Sequence, residues 1–333
     1  MTGHGRKSKG LSPRRRHSAL GIVSVLTLAL ILQNSEATAK AMSDGLALCV
    51  NRVIPTLFPF MVISELIVGS GAIRLPGRLL SAPFRRLFGI SGQGGCAVLL
   101  GFLCGFPIGA KSALSLYRNG EIKQGELEHL LTFCNVPSSA FLISSVGVSL
   151  FQSSGFGLLL YAITLLSALL IGFFGGLLRR WKKEASASAE AMRDSFSSHG
   201  RRKGVAAFTE AVTASALSML YVCAFVIFFS AFTGTLEHLL SSVSLPRTLS
   251  ALCVGFFELT GGTARAALCS PRAAAYLCAV FAGWSGLSVH FQIMSLSDGM
   301  PISFRPYFLS KLLQSAMNAV LLWCFDTVFG LPI

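Results

Sequence analysis

The sequence predicts an all-α polytopic membrane protein whose two halves are related as inverted repeats. Hydrophobic residues make up 53% of the 333 residues and charged residues 13%, against about 25% charged residues in an average soluble domain. The charges are clustered, and the apolar stretches between them approach the roughly 20 residues that a helix needs to cross a bilayer. A short gapless match between two parts of the chain is the third observation, and it indicates the repeat.

The formal net charge of +14 has a membrane explanation. Most Lys and Arg residues lie in short segments between apolar stretches, as the positive-inside rule predicts for cytoplasmic loops. No basic stretch carries a nucleic-acid-reading motif, so we expect no nucleic-acid partner. The nine cysteines contain no CxxC pair, and most lie inside apolar runs, so the sequence predicts no disulfide framework, no metal site and no cofactor.

The amino-terminal part divides into a basic cytoplasmic tail over residues 1–18 and a membrane segment over residues 19–53. The sequence Ala37-Thr38-Ala39 resembles a signal-peptidase site, so a cleaved signal is one interpretation. We favour an uncleaved first span with a cytoplasmic amino terminus, because the rest of the chain is also membrane-embedded. Residues 36–52 are predicted as an interfacial helix that leads into a turn at Pro55-Thr-Leu-Phe-Pro59.

The remaining chain divides into a first repeat (54–178), a basic cytoplasmic loop (179–209) and a second, inverted repeat (210–333). Residues 73–90 place four arginines among apolar residues, which predicts an amphipathic helix on the cytoplasmic face. The predicted apolar segments are 54–72, 95–117, 129–151, 156–178, 210–234, 248–268, 274–296 and 308–328.

A parity argument predicts a re-entrant hairpin in the first repeat. The loops 73–94 and 179–209 are both rich in Lys and Arg and should both be cytoplasmic. Three apolar segments lie between them, and three full crossings would put the loops on opposite faces. The segment 95–117 is rich in glycine and contains Pro107, which break a helix in its middle, so we expect it to enter and leave on one face.

The two halves match at an offset of 154 residues. Gly101-Phe-Leu-Cys-Gly-Phe-Pro-Ile-Gly-Ala-Lys-Ser-Ala-Leu114 aligns with Gly255-Phe-Phe-Glu-Leu-Thr-Gly-Gly-Thr-Ala-Arg-Ala-Ala-Leu268. A span broken near its middle follows each stretch, at residues 135–139 and 283–286. Each half is therefore span, hairpin, broken span, span. Three crossings per half require the second half to be inverted.

The distribution of charge agrees with this topology. It places 21 of the 28 Lys and Arg residues in cytoplasmic segments and four outside. The other three lie within apolar segments: Lys111, Arg265 and Lys311.

Broken helices in inverted repeats place a substrate site near the membrane midplane. Lys111 and Arg265 occupy equivalent repeat positions, and together they would attract an anion such as a carboxylate. The alternative is that each cation snorkels to the interface or pairs with Glu65 or Glu258. Those two acids are candidates for charge pairing or for binding a coupling ion.

The hairpin tips and helix breaks supply further candidate substrate-binding residues. Polar side chains there either hold a polar solute or cap the ends of half-helices. These candidates are Gly105, Gly109, Asn135, Ser138, Ser139, Glu258, Thr260, Ser285, His290 and Gln292. Gly283-Trp-Ser-Gly286 also matches the nucleophile context of intramembrane serine proteases. His290 lies five residues after Ser285, on a different helical face, so we expect the chain not to be an enzyme.

Three motifs resemble the YlbJ-type sporulation integral membrane proteins, which carry nucleoside-recognition Gate domains. They are Pro55-Thr-Leu-Phe-Pro-Phe60, Gly101-Phe-Leu-Cys-Gly-Phe-Pro-Ile-Gly-Ala-Lys111 and Leu130-Leu-Thr-Phe-Cys-Asn-Val-Pro-Ser-Ser139. The similarity extends into residues 255–261 and 286–292. Val136 and Pro137 depart from the family's second motif, which affects the geometry expected at that break.

The resemblance implies a fold related to the concentrative nucleoside transporters and movement of dipicolinate across a membrane surrounding the forespore. A pyridine dicarboxylate would suit Lys111 and Arg265 for its charge and the Asn135 region for its ring. The expected partners are a small dicarboxylate or nucleoside and the lipid bilayer, and the oligomeric state is left open, a homo-oligomer included. The alternatives are a nucleoside transporter and a non-transporting scaffold for spore-envelope assembly.

Overall fold

The computed structural model describes residues 13–185, 205–241 and 245–333, and these residues form helices joined by short connections. Most of the predicted basic tail 1–18 and of the predicted loop 179–209 lies outside the described residues. The α-helices are α1 (Pro13–Gln33), α2 (Ser35–Leu48), α3 (Ile54–Gly69), α4 (Arg74–Phe88), α5 (Gly92–Cys104), α6 (Ile108–Arg118), α7 (Gln124–Leu131), α8 (Ser154–Ala185), α9 (Val205–Ser241), α10 (Arg247–Phe257), α11 (Leu259–Ala266), α12 (Pro271–Trp284), α13 (Leu287–Leu296) and α14 (Arg305–Phe329). Two π-helical segments are π1 (Cys49–Val53) and π2 (Ala140–Leu150).

Four helical segments of the described chain are long and apolar enough to cross a membrane: Ser154–Arg180, Val205–Leu240, Pro271–Leu296 and Arg305–Phe329. A fifth is added if α3 and α4, which meet at a bend of 86°, count as one broken span. These helices confirm the prediction of an all-α polytopic membrane protein.

The segment predicted as an interfacial helix is part of a longer helix. The elements α2, π1 and α3 follow one another without a break, and the prolines of the predicted turn at Pro55 and Pro59 lie inside α3. Small residues let α2 pack along α9, where Thr38 Oγ1 lies 2.7 Å from Thr235 Oγ1. The prediction of a turn is wrong, because the wider π1 turn directly before Pro55 carries the helix into α3.

The segment 95–117 forms the expected hairpin. Helices α5 and α6 are joined at Gly105-Phe-Pro107, and both ends of the hairpin lie against α4. At the entry, Gly92 packs against the Gly77 backbone so closely that a Cβ atom has no room. At the exit, Arg74 Nη2 lies 2.6 Å from Glu121 Oε1. The chain therefore enters and leaves this hairpin on the same side.

The second half contains an equivalent hairpin, made of α10 and α11. Its two ends are joined by Arg247 Nη1, which donates to the Leu268 carbonyl oxygen at 3.1 Å. Its arms meet at Gly255 and Gly262: a Cβ atom added at Gly262 would overlap the Gly255 backbone, and one added at Gly255 would overlap the Phe281 ring. The segment 248–268, drawn from the sequence as a match to the first hairpin, has the same shape.

Each hairpin tip contacts the break in the broken span of its own half. In the first half, Phe106 N donates to the Val136 carbonyl oxygen at 2.9 Å, inside the non-helical stretch between α7 and π2. In the second half, the Trp284 indole N–H donates to the Phe256 carbonyl oxygen at 2.9 Å. In the first half the hairpin therefore satisfies a backbone group of the break, and in the second half a side chain at the break satisfies a backbone group of the hairpin.

The final spans of the two halves, α8 and α14, run in opposite directions. Ser153 Oγ, just before α8, donates to the Pro332 carbonyl oxygen beyond the end of α14 at 2.5 Å. At the other end of the molecule, α7 packs against the carboxyl-terminal half of α8. Its Glu128 accepts a hydrogen bond from Ser303 N at 3.0 Å, just before α14 begins. Opposite directions for equivalent spans are what an inverted repeat requires.

The final spans of the two halves also contact each other. Asn318 Nδ2 on α14 lies 3.4 Å from Thr164 Oγ1 on α8, and these two residues are separated by 154 positions, the offset of the hairpin match. The inverted-repeat arrangement itself stays a prediction.

The two basic segments used in the parity argument meet on one side of the molecule. Arg180 Nη2 donates to the carbonyl oxygens of Arg85 and Arg86, the latter at 2.5 Å. The start of the 179–209 loop therefore lies on α4, as the topology requires. Assignment of this side to the cytoplasm stays a prediction.

We predict that Gly101→Ala destabilises the protein. An added Cβ atom would overlap the Cys134 carbonyl oxygen and lie 2.9 Å from the Gly109 Cα atom. Overpacking of this kind costs about 1–3 kcal/mol. Thermal unfolding of the purified protein, followed by size-exclusion chromatography, measures the effect. Gly69→Ala is the control, because outside its own helical turn no atom of the described residues lies within 4 Å of its added Cβ. Equal melting temperatures for the two variants would contradict the close packing of this hairpin.

Candidate functional site

The two helix breaks hold buried polar groups without partners. Asn135 lies in the first break, Ser285 in the second, and His290 one turn into α13; their exposed fractions are 0%, 0% and 1%. Both amide atoms of Asn135, Ser285 Oγ and His290 Nε2 have no hydrogen-bond partner of good geometry among the described residues, although the Tyr307 hydroxyl lies close enough to the Asn135 side chain to interact with it. These are four of the six such atoms in the described part of the chain. An unsatisfied buried polar group costs about 1–3 kcal/mol, so this concentration marks a candidate binding site.

The sequence produces the second break through backbone geometry. Ser285 and Gly286 both have positive φ angles, of 74° and 83°, which end α12 and turn the chain into α13. An added Cβ at Gly286 would lie 3.1 Å from the Glu258 Cα atom at the tip of the second hairpin. Glycine therefore gives the break its close approach to the hairpin.

At the first break, Pro137 has no N–H to donate. Ser138 Oγ accepts a hydrogen bond from Phe141 N at 3.2 Å, so the capping alternative describes Ser138. Ser139 lies half-buried directly before π2.

A stripe of buried polar residues on α14 runs past the breaks. Its members recur at intervals of three and four residues, so they share one face of the helix. The stripe consists of Tyr307, Ser310, Lys311, Gln314 and Asn318. Lys311 is fully buried. Its ammonium donates to the carbonyl oxygen of Asn135 and to Gln314 Oε1, the latter at 2.8 Å.

The same helix face also contacts the second broken span. The Tyr307 hydroxyl lies 2.7 Å from His290 Nδ1, and the His290 ring packs edge-on against Trp284 at a centroid distance of 4.4 Å. Tyr307 and Lys311 are one helical turn apart, about 6 Å along the axis. The α14 stripe therefore brings Asn135 of the first break and His290 of the second together around one helix.

Lys311 differs from the other buried lysine of the described chain in having no acidic partner. Ion pairs among the described residues involve Arg74, Lys111, Arg265 and Arg272, and no described carboxylate lies within 4 Å of the Lys311 ammonium. Its two hydrogen-bond acceptors are neutral.

Lys111 and Arg265 are each paired with an acid in their own half. Lys111 Nζ lies 3.6 Å from Glu65 Oε2 and 3.0 Å from Ser215 Oγ. Arg265 Nε lies 3.1 Å from Glu237 Oε1. The alternative of charge pairing describes both residues, but the partner of Arg265 is Glu237 and not Glu258. No hydrogen bond or ion pair joins the two cations to a common point in the described structure.

Glu258 caps its own helix. Its carboxylate accepts hydrogen bonds from the backbone N–H groups of Thr260, at 2.9 Å, and Gly261, at 2.6 Å. The Thr260 side chain is exposed. The side-chain amide of Gln292 donates to Ser288 Oγ, one turn away on the same helix, at 3.3 Å.

The two candidate glycines of the first hairpin have packing roles. Gly105 has a φ angle of 79°, and an added Cβ would lie 2.5 Å from Ser138 N. An added Cβ at Gly109 would overlap the Cys134 carbonyl oxygen. Both glycines hold the hairpin tip against the first break.

Ser285 and His290 are not hydrogen-bonded to each other, because Ser285 Oγ and His290 Nε2 both lack partners and His290 Nδ1 binds Tyr307. The expectation that the chain is not an enzyme stays a prediction.

Sequence reasoning missed most of the α14 stripe. The sequence shows Lys311 as a cation within an apolar segment, but that position alone indicates no role. The available signal was the helical spacing of Tyr307, Lys311, Gln314 and Asn318 within one predicted span. Their partners on α8 and at the first break are far away in the sequence.

These features define a class: a polytopic α-helical membrane protein with paired hairpins, paired broken spans and a buried polar centre. The chain is 31% identical over 330 residues to the sporulation integral membrane protein YlbJ of Bacillus subtilis (strain 168), covering 89% of this chain and 80% of that protein. The chain belongs to the YlbJ family, as its motifs indicated. No family model matches the chain, and no solved structure matches it significantly. The presence of Gate domains stays a prediction.

We predict that Lys111 and Glu65 stabilise the protein as a pair, so that loss of one partner destabilises it more than loss of both. Lys111→Met should lower the free energy of unfolding by about 3 kcal/mol, because it leaves a carboxylate without its cation, and Glu65→Gln in the same chain should recover most of that loss. The matched control is Arg265→Met with Glu237→Gln, a more exposed pair worth about 1 kcal/mol or less. Denaturation of the wild type and, for each pair, of both single variants and the double variant measures the free energies of unfolding. Additive losses at Lys111 and Glu65 would contradict the pairing.

Proposed function

We propose that this protein transports a small anionic or nucleoside-like solute across a membrane, with dipicolinate as the first substrate to test. The observation that carries the proposal is the set of buried, unpartnered polar groups at the two helix breaks. Polar groups inside a membrane protein are costly and are typical of substrate pathways. Transporters with inverted repeats bind their substrates where discontinuous helices of the two halves meet.

The unpartnered atoms suit a polar ring. The Asn135 amide offers a donor and an acceptor, Ser285 offers a hydroxyl, and His290 Nε2 offers a donor or an acceptor according to its tautomer. A pyridine carboxylate and a nucleoside both carry complementary atoms. Dipicolinate is placed first because the similar Bacillus subtilis protein is named for sporulation and the family resemblance implies that solute.

Two other functions remain alternatives: nucleoside transport, and a membrane scaffold for spore-envelope assembly. A scaffold gains nothing from leaving buried polar groups unpaired, and each one would lower its stability. The unpaired polar groups at the broken spans therefore favour transport over the scaffold.

The chain is an integral membrane protein, and we propose the cell membrane or a membrane surrounding the forespore as its location, with a cytoplasmic amino terminus. An epitope tag inserted after Asn119 or after Gly299 should be protected from antibody in intact protoplasts, and one inserted after Gln152 should be accessible. Those two groups of sites lie at opposite ends of the molecule, because Gln124 contacts the Pro301 carbonyl oxygen while Ser153 contacts Pro332. Accessibility of the first two tags with protection of the third would reverse the orientation.

We predict that Ser285→Ala lowers the uptake of radiolabelled dipicolinate into proteoliposomes by about tenfold or more, with radiolabelled uridine measured in parallel. Removal of this hydroxyl breaks no hydrogen bond to the described residues, so the melting temperature should stay the same or rise. Ser149→Ala is the control, because Ser149 is exposed and bonds only its own helix.

Uptake of uridine alone would assign the protein to nucleoside transport. Uptake of neither solute by folded, inserted protein would contradict the proposal for both and favour the scaffold.

A further inference from the structure

We propose that Lys311, together with Gln314 and the first helix break, binds a carboxylate group of the transported solute. This inference rests on the proposed function and deepens it, because it assigns the charge recognition of the site to one residue. It moves that role away from Lys111 and Arg265, the residues to which the repeat match first pointed.

The first argument is the number of hydrogen bonds. A lysine ammonium carries three N–H donors, and Lys311 uses two of them, on the carbonyl oxygen of Asn135 and on Gln314 Oε1. The third donor has no acceptor among the described residues. A ligand oxygen beside Nζ would complete the set.

The second argument is charge. Lys311 is fully buried, and its two acceptors are neutral. Removal of a charge from water costs several kcal/mol, which a counter-charge in good geometry offsets. Among the described residues Lys311 has no such counter-charge. A ligand carboxylate could therefore bind the ammonium without displacing an internal carboxylate.

The third argument is that the ammonium is held in position. Gln314, which accepts one of its hydrogen bonds, donates in turn to the Thr164 carbonyl oxygen at 3.2 Å. One turn further along α14, Asn318 donates to the Ala279 carbonyl oxygen at 3.1 Å and accepts from Ser167 Oγ at 2.6 Å. Contacts with α8 and α12 therefore fix this face of α14, and a fixed donor binds with less loss of conformational entropy.

The fourth argument is convergence. The Lys311 ammonium donates to the carbonyl oxygen of Asn135. The side-chain amide of Asn135 has no hydrogen-bond partner of good geometry among the described residues. One turn away on α14, the Tyr307 hydroxyl is hydrogen-bonded to Nδ1 of His290. The other ring nitrogen of His290, Nε2, has no partner among the described residues. The charge and the neutral polar groups thus surround the same part of the molecule.

Lys111 and Arg265 lack these properties. Lys111 already has Glu65 and Ser215 as partners, and Arg265 has Glu237. A ligand carboxylate would compete with an internal carboxylate at either position. The solute class that fits Lys311 is a ring carrying at least one carboxylate and further hydrogen-bonding atoms.

The experiment compares binding of an anionic ligand and a neutral ligand of the same shape to the purified full-length protein. The ligands are dipicolinate and its uncharged analogue, pyridine-2,6-dicarboxamide, titrated by isothermal calorimetry. The variant is Lys311→Met, which keeps an unbranched side chain one atom shorter and removes its charge. The control variants are Arg265→Gln and the double variant Lys111→Met with Glu65→Gln. Thermal unfolding and dipicolinate uptake are measured on the same preparations.

We expect Lys311→Met to weaken dipicolinate binding by about 30-fold or more, the size typical of a lost charge-assisted hydrogen bond. Affinity for the dicarboxamide should change by less than about threefold, so that the preference for the anion disappears. The melting temperature should change little, because removal of a buried charge offsets the loss of the hydrogen bonds to the Asn135 carbonyl oxygen and Gln314 Oε1. The control variants should keep the preference. If Lys311→Met does not yield folded protein, Lys311→Gln keeps polar contacts without the charge and carries the same expectation.

Three outcomes overturn the inference, and they are distinguishable. Wild-type uptake together with an unchanged anion preference in Lys311→Met overturns the role of Lys311 and leaves transport standing. Loss of the preference in a control variant instead returns the role to Lys111 or Arg265. Absence of dipicolinate binding by the wild type overturns the inference, and parallel uridine uptake then decides whether transport itself survives.

Discussion

The structure depends on one constraint: backbone N–H and C=O groups inside a bilayer must find partners within the protein. The two broken spans interrupt the helical hydrogen-bonding pattern, and in each half a hairpin tip is hydrogen-bonded to a residue at the break. Phe106 N bonds Val136 at the first break, and the Trp284 side chain beside the second break bonds Phe256. A hairpin and its broken span therefore form one unit.

At the first break, a backbone carbonyl group finds its hydrogen-bond partner on α14, in the other half of the chain. The Lys311 ammonium, in the second half, donates a hydrogen bond to the carbonyl oxygen of Asn135, in the first half. The same face of α14 bonds Thr164 and Ser167 on α8. These contacts join the two halves through polar groups, where hydrophobic attraction between helices is weak because lipid is equally apolar.

The side chains that remain unpartnered are concentrated at the breaks. Other intramembrane polar groups have structural partners: Ser64 lies 2.7 Å from Ser112, Glu65 accepts from Ser115 and Glu258 caps α11. Because partners are abundant elsewhere, the exceptions at Asn135, Ser285 and His290 are informative about ligand binding.

Much of the fold could be predicted from local features. Runs of apolar residues located the spans, and glycines and prolines located the hairpin and the two breaks. The clustering of arginines predicted that the 73–90 helix and the 179–209 loop lie on the same side of the membrane, and Arg180 bonds the carbonyl oxygens at the end of α4. The prediction of a turn at Pro55 failed because prolines preceded by a π-helical segment remain inside a helix.

The sequence by itself determined the membrane class, the order of elements, the breaks, the hairpins and the family. All of these follow from composition, local backbone preference or motifs that are contiguous in the chain. Only the tertiary structure decided which charges are neutralised and which are not. Lys111, Arg265 and Lys311 look alike as cations within apolar segments, but two have acidic partners and Lys311 has none among the described residues. The reason is physical: a partner 28, 46 or 176 residues away in sequence is set by helix packing, and the cost of a buried charge depends on that partner.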